Sequence, residues 1–300
     1  MQNLDIKLHF LGLGSERCAS TFLHLVLKDH PQLCLPKRKE MNFWSGSITE
    51  QKLVEYLKNF EYNKNCLVGE ISPTYAAMYS EEVGLVKQLI PNLKVILIIR
   101  NPLDRLVSSI TRSWTYFHVD KKVSNHKNFF SLLRYVDLGL SRRLTDYLRT
   151  YQIWSKHFGK DNIFLEKFEN ISSYPQDVLT RILDFLEVNS NIIDESVFLK
   201  KPNKAKEELK SEIPEFLKWY IAVEWLPKVK KMAILLPLDL HNWIQDLEAI
   251  VYKDKYNLKF WLIYVFHKIY FYIPYYSIYP LYKYFQIKMK IAKTRRDLAL

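Results

Sequence analysis

Between Gly14 and Thr21 the chain reads Gly14-Ser15-Glu16-Arg17-Cys18-Ala19-Ser20-Thr21. An apolar run, Ile6–Leu13, precedes this loop, and a helical pattern over Ser20–Asp29 follows it. A strand that feeds a helix N-terminus in this way offers backbone N–H groups and the positive end of the helix dipole to an anion. Against the nucleotide loop G-x4-G-K-[ST], Gly14 and Thr21 hold the two ends, Ala19 replaces the second glycine, and Ser20 stands where lysine belongs. The register is kept, and the positive charge arrives earlier, as Arg17. Taken alone, the segment reads equally as an anion loop or as an ordinary strand–helix turn capped by Ser20 or Thr21.

A second element follows the apolar run Lys94–Arg100 (KVILIIR), which continues as Asn101-Pro102-Leu103-Asp104-Arg105, with Ser108 in the next predicted helix. A nucleoside triphosphatase would place a magnesium-binding carboxylate near such a strand end; this chain has Arg100. Arg100 by a forked contact and Ser108 by its hydroxyl suit a phosphate held without metal, although alone they would be a surface arginine and a solvated serine. Glu40 closes a KRKE run and reads as a solvated charge or as a base. His24 reads as structural, and an acceptor contact is only the secondary reading of His118. Cys18 sits where a helix N-terminus would stabilise a thiolate. A cysteine-phosphatase loop needs an arginine six residues on, where this chain has His24, so Cys18 reads as a small loop residue.

Two phosphate elements without a magnesium ligand suit a nucleotide phosphorylated at both ends. From about Leu8 to Asn203 the chain resembles sulfotransferases that use 3′-phosphoadenosine 5′-phosphosulfate (PAPS), in the branch with heparan-sulfate-type and bacterial carbohydrate members. The GSERCAST loop and the following LHLVLKDHPQLCLP match that family's 5′-phosphosulfate loop. Arg100 through Ser108 fits R-N-P-x2-R-x2-S, which binds the 3′-phosphate. Lys39-Glu40-Met41-Asn42-Phe43-Trp44 resembles K-E-x2-F-F, Gly69 to Tyr75 resembles the S-P-x-Y segment, and Phe164–Leu186 resembles the late strand and helix. The resemblance implies a P-loop-like α/β fold, PAPS as co-substrate released as PAP, no metal, and a hydroxyl or amine acceptor, a carbohydrate or glycolipid. It implies Glu40 as base, with Arg17 neutralising the bridging and sulfonate oxygens and Gly14 to Thr21 holding the 5′ end. The departures are Arg17 where the loop usually carries lysine, and Ile71 where some relatives have lysine. The Asn203-Lys204 neighbourhood is the candidate for the adenine clamp.

The elements needed to position these residues are legible as period and punctuation. Helices are expected over Thr49–Phe60, Glu81–Ile90, Pro102 to about Trp114, Arg142–His157 and Pro175–Leu186, and strands over Cys66–Ile71 and Asn162–Phe168. Strands alternating with helices imply a parallel sheet covered on both faces, a three-layer α/β fold. After Phe198 the pattern is mostly helical. The chain's 300 residues, 48% hydrophobic and 25% charged, exclude a disordered chain. Three cysteines do not suggest a disulfide framework, which favours a reducing compartment. The first residues lack a basic-then-apolar leader pattern, so a cytoplasmic protein is expected.

The net charge of +12 is uneven. Residues 256–296 hold eight Lys and Arg and no acid, leaving a body near +4, which argues against a general nucleic-acid binder. The same segment is crowded with Tyr, Phe and Trp. Its longest charge-free window, Ile269–Tyr282, has 14 residues, short of the roughly 20 that a span needs. Residues 1–250 therefore read as the sulfotransferase domain. Residues 251–300 read as either an interfacial segment on the inner, anionic face of a membrane or a helical layer packed on the body. Two other functions stay open: a kinase-like P-loop enzyme, and a degenerate membrane-associated PAP-binding protein.

Overall fold

The computed structural model describes residues 6–61, 66–117, 126–137, 139–190, 213–255, 257–269 and 273–298. In chain order the strands are β1 Phe10–Gly12, β2 Leu33–Cys34, β3 Leu67–Ile71, β4 Lys94–Ile99 and β5 Ile163–Lys167. The helices are α1 Ser20–Lys28, α2 Glu50–Leu57, α3 Ser80–Leu89, α4 Pro102–Phe117, α5 His126–Asp137, α6 Gly139–Thr145 and α7 Tyr147–Phe158. They continue as α8 Phe168–Ser173, α9 Pro175–Leu186, α10 Glu215–Leu235, α11 His241–Lys253, α12 Leu258–His267 and α13 Ile273–Leu298. The chain forms two compact units. One takes Met1–Ile99, Arg149–Asn203 and Tyr284–Leu300, and the other takes Arg100–Leu148 and Lys204–Lys283.

The first unit holds a five-stranded, wholly parallel sheet in the order β2-β3-β1-β4-β5. This is the sheet of the expected three-layer α/β fold. Every residue from Val95 to Ile99 is buried, so β4 is covered on both faces, which is why it reads as an unbroken apolar run rather than an alternating one. On one face Ile96 and Ile98 join Phe10 in a core with Phe22, Leu23, Val26 and Leu27 of α1 and Val178, Ile182 and Leu186 of α9. Phe10 lies opposite Gly69 across the β1–β3 pair, and a Cβ at Gly69 would overlap the Phe10 ring. That glycine makes room for the largest side chain of the central strand.

Three expectations change. The helix expected over Arg142–His157 is divided at Asp146 into α6 and α7. The Asp146 N–H bonds the carbonyls of both Arg142 and Arg143, at 3.0 and 3.3 Å, and this three-residue reach tightens the turn and interrupts the α-helical ladder. The two-residue strand β2 carries no sequence signal, because its pairing depends on β3. The expectation from the cysteine count, no disulfide framework and a reducing compartment, is revised by one bridge: Cys34 and Cys66 form a disulfide, Cα–Cα 5.7 Å, across 32 residues. Parallel pairing of Leu33 with Leu67 and Cys34 with Val68 brings the two thiols together, which a cysteine count cannot reveal.

In the second unit α10 is the central helix, with Trp219, Tyr220, Ile221, Ala222 and Trp225 fully buried. α12 packs on it through Phe260 against Phe216 and Trp219, and Tyr264 against Tyr220. A buried ionic cluster joins α5, α6, α10 and α12. Asp137 accepts from His267 Nε2 at 2.9 Å, from Tyr220 Oη and from Arg142 Nη1 at 3.2 Å. Glu224 pairs with Lys268 at 3.0 Å and accepts from Tyr264 Oη at 2.8 Å. Burial alone would raise the Asp137 carboxyl, but His267, Lys268, Tyr220 and Arg142 together hold it below the usual carboxylate range.

The aromatic, basic C-terminal segment thus makes specific contacts. α12 docks in the second unit, and in the first unit Lys290 of α13 donates to Ser45 O at 2.8 Å and pairs with Glu82 at 2.5 Å. Away from these contacts, α12 and the residues just after it stay exposed at Leu258, Leu262, Val265 and Ile269, a stripe at helical spacing. Among the described residues no helix is long and apolar enough to cross a membrane.

Candidate active site

In the first unit β1 delivers the chain to Gly14 through the buried Leu13, whose N–H bonds Ile96 O at 2.8 Å. Two non-glycine residues of the loop adopt left-handed backbone, Arg17 at φ 72° and Ala19 at φ 62°. Such residues cost about 1–2 kcal/mol each, and strain of this kind concentrates at functional sites. A left-handed residue followed by a helical one turns successive N–H groups toward one concavity, an anion nest. Ala19 then Ser20 has that form. The N-cap of α1 is Ala19, with no side-chain cap hydrogen bond and no acidic residue in the first turn. Neither Ser20 nor Thr21 is the N-cap of the helix. Cys18 is buried in the apolar core between sheet and α1.

Lys39 supplies what the loop lacks. Its Nζ donates to Thr21 Oγ1 at 2.5 Å and pairs with Glu40 Oε1 at 2.5 Å. A lysine eighteen residues further on thus stands at the mouth of α1, although position 20 itself is serine. The structure therefore brings together the loop end, Lys39 and Glu40. Glu40 is left-handed at φ 60° and its side chain is 41% exposed. Beneath this group lies buried His24, with Nδ1 unpartnered among the described residues. Burial, then Lys28 and Lys39, lower its pKa to about 4, so the imidazole is neutral at pH 7.

Arg100 and Ser108 belong to the second unit. Asn101 Oδ1 accepts from the Leu103 N–H at 3.0 Å, and Asn101 Nδ2 donates to Asp246 at 3.3 Å, which fixes the turn from Arg100 into α4. Pro102 at the helix start suits this geometry. Ser108 is buried on α4. Arg105, missed as a site residue by sequence reasoning, is fully buried. It donates through Nη2 to Ser141 Oγ at 2.9 Å and Ser141 O at 3.3 Å, while its Nε and Nη1 lack acceptors among the described residues. Buried guanidinium donors short of an acceptor fit an anionic group at this element. His118 and Asn203-Lys204 lie outside the described residues.

These features define an α/β protein with an anion-binding strand–loop–helix and a second cationic element after β4. A family model for the sulfotransferase domain matches residues 73–225, just over half of the chain. The chain belongs to the sulfotransferase family. Arg100 and Ser108 fall inside the matched span; the first loop and Glu40 precede it. A membrane-associated sulfotransferase of Dictyostelium discoideum, kil1, is 30% identical over 104 residues, 33% of this chain and 22% of that protein. The match thus spans less than a quarter of that relative's length. The crystal structure of a sulfotransferase from Alicyclobacillus acidocaldarius superposes with a TM-score of 0.59 at 19% identity, covering 79% of this chain and 98% of that one. That likeness is one of fold.

Proposed function

We propose that the protein transfers a sulfuryl group from PAPS to a hydroxyl or amine acceptor, a carbohydrate or glycolipid, by in-line displacement. The bond from sulfur to the 5′-phosphate oxygen breaks as the bond to the acceptor oxygen or nitrogen forms, and Glu40 takes the acceptor's proton. Gly14 to Thr21 hold the 5′-phosphate, with Lys39 and Arg17 meeting the charge that develops there; Arg100 and Ser108 hold the 3′-phosphate. The observation that carries this reading is the meeting of Thr21, Lys39 and Glu40 at the N-terminus of α1. It puts a cation and a carboxylate side by side at an anion-binding helix end.

Arg100→Ala tests the nucleotide assignment. A charge-assisted contact of this kind contributes about 1.5–3 kcal/mol, so affinity for PAP should fall roughly tenfold to a hundredfold. Calorimetry with PAP and with adenosine 5′-phosphosulfate reads it. The variant should lose its preference for the ligand bearing the 3′-phosphate, and an unchanged preference would move that phosphate to another residue.

The same reading extends to a peripheral place on an anionic membrane, reached through residues 256–296. The exposed apolar stripe of α12 supports it, as do the segment's eight basic residues and the membrane-associated relative. Rings and aliphatic side chains would enter the headgroup layer while Lys and Arg face anionic lipid. Leu258→Glu with Leu262→Glu should abolish pelleting with phosphatidylserine vesicles and leave the melting temperature unchanged, because both side chains are exposed. Full-length protein that fails to pellet even at low salt would refute it. A cytoplasmic address implies that Cys34 and Cys66 are reduced in the cell, and the disulfide implies an oxidising one.

A further inference from the structure

Glu70, next to the C-terminal residue of β3, is a carboxyl with no solvent exposure. Its Oε1 accepts from Tyr56 Oη at 3.1 Å and from Tyr75 Oη, and its Oε2 accepts from Ser72 Oγ at 3.2 Å. The Met41 N–H also donates to it. Each of the three hydroxyls in turn accepts from the segment after Glu40. Trp44 N donates to Tyr75 Oη at 3.3 Å, Trp44 Nε1 to Tyr56 Oη at 3.2 Å, and Asn42 N to Ser72 Oγ at 3.1 Å. Asn42, left-handed at φ 53°, accepts from Thr74 Oγ1 at 2.6 Å and donates through Nδ2 to Glu40 O at 3.0 Å. Four chains of donors therefore run from the Met41–Trp44 backbone and indole to one carboxyl. Through Ser72 the hub also meets the first loop's strand, since Ser72 N donates to Gly12 O at 3.0 Å.

We propose that Glu70 is a positioning residue for transfer: as a carboxylate it terminates the hydrogen-bond chains that hold Glu40 and Lys39 in place. This rests on the reading of Glu40 as the base. Glu70 is sealed from solvent and acts only through the segment it anchors.

Direction of donation gives the inference its consequence. All four chains point toward Glu70, so they are complete only when it is acceptor-only. A protonated Glu70 must donate to one neighbour, and that hydroxyl, already accepting from the loop, then has no acceptor for its own proton. Burial pushes the Glu70 pKa up to about 7, against the pull of Tyr75, Tyr56, Ser72 and Met41. The titratable groups facing it are Tyr56 from α2 and Tyr75 from the turn Pro73–Ala77. Burial and the charge of Glu70 hold both phenols well above their usual range, so they stay protonated. The other two donors, Ser72 and the Met41 amide, do not titrate. Positioning is therefore intact above about pH 7 and lost as pH falls below it.

Stability moves the other way. A carboxyl whose folded pKa exceeds its unfolded value of 4.5 favours the folded state most below 4.5, and that advantage is lost as pH rises through 7. The test is Glu70→Gln, with Glu40→Gln and Tyr75→Phe beside it. Three quantities are read: melting temperature at pH 8, PAP affinity by calorimetry, and turnover of labelled PAPS between pH 6 and 9. Glu70→Gln should melt at or above wild type at pH 8, bind PAP within twofold, and lose turnover roughly tenfold to a hundredfold, as misplacement of about 1 Å does. Its profile should lack the fall that wild type shows near pH 7. Tyr75→Phe keeps the carboxyl but removes a donor, so that fall should shift to higher pH. Wild-type turnover in Glu70→Gln, or a fall near pH 7 that Tyr75→Phe leaves in place, overturns the proposal, as does a melting temperature at pH 8 that drops in step with the rate. An inactive Glu40→Gln beside a fully active Glu70→Gln removes the positioning role alone; an active Glu40→Gln removes the base reading beneath it.

Discussion

Glu40→Gln is expected to bind PAP as wild type does and to turn over about 10²–10⁴-fold more slowly, the usual loss when a general base is removed. The amide keeps the size of the carboxylate but cannot take the acceptor's proton. Nucleotide affinity should hold, because the groups assigned to the phosphates, the Gly14 to Thr21 loop with Arg17, Lys39, Arg100 and Ser108, all remain in the variant. Lys39 keeps its bond to Thr21 in the variant and loses only its partner in the pair with Glu40. Single-turnover measurements with saturating PAPS would separate this from a binding defect. Near-wild-type transfer by a variant that binds PAP normally would move the base to another residue, with His118 first in line.

Asp137→Ala is expected to be the most destabilising of these substitutions. Asp137 is buried with His267, Arg142 and Lys268 around it. Removing one partner of a buried ionic group leaves the others uncompensated and costs about 3–5 kcal/mol. Glu224 still faces Arg142 and Lys268, but the His267 N–H would lose its acceptor. With a lowered carboxyl pKa in the folded state, the contribution of Asp137 is present above the unfolded value of 3.8 and is lost as pH falls through the lower folded one. Denaturant unfolding at pH 7 reads the effect, and a loss below about 1 kcal/mol, in the range of an exposed pair, would show that the cluster is solvated rather than buried.

The alternation of strands and helices was readable because β4 and the amphipathic α1 and α9 carry their periods locally. Arg100 and the loop were readable because strand ends and helix starts are adjacent in sequence. What escaped was non-local. The Cys34–Cys66 bond needs the β2–β3 pairing. Lys39 serves Thr21 from a different segment than the one a phosphate-loop pattern inspects. Glu70 sits in an LVGEI strand where one acidic residue looks like an exposed alternate position. Its burial makes sense only once Tyr56, Tyr75 and Ser72 are seen around it. The packed face of α12 and its exposed stripe are likewise invisible until α10 supplies the partner, since Phe, Trp and Tyr occur on both faces.

Transfer of the labelled sulfuryl group from PAPS into extracts of the native host tests the central claim most directly. Wild-type protein should yield a labelled carbohydrate or glycolipid, and Glu40→Gln, binding PAP equally well, should label it about 10²–10⁴-fold more slowly. Wild-type protein that binds PAP yet labels nothing, or that instead moves phosphate from ATP in the presence of magnesium, would contradict it.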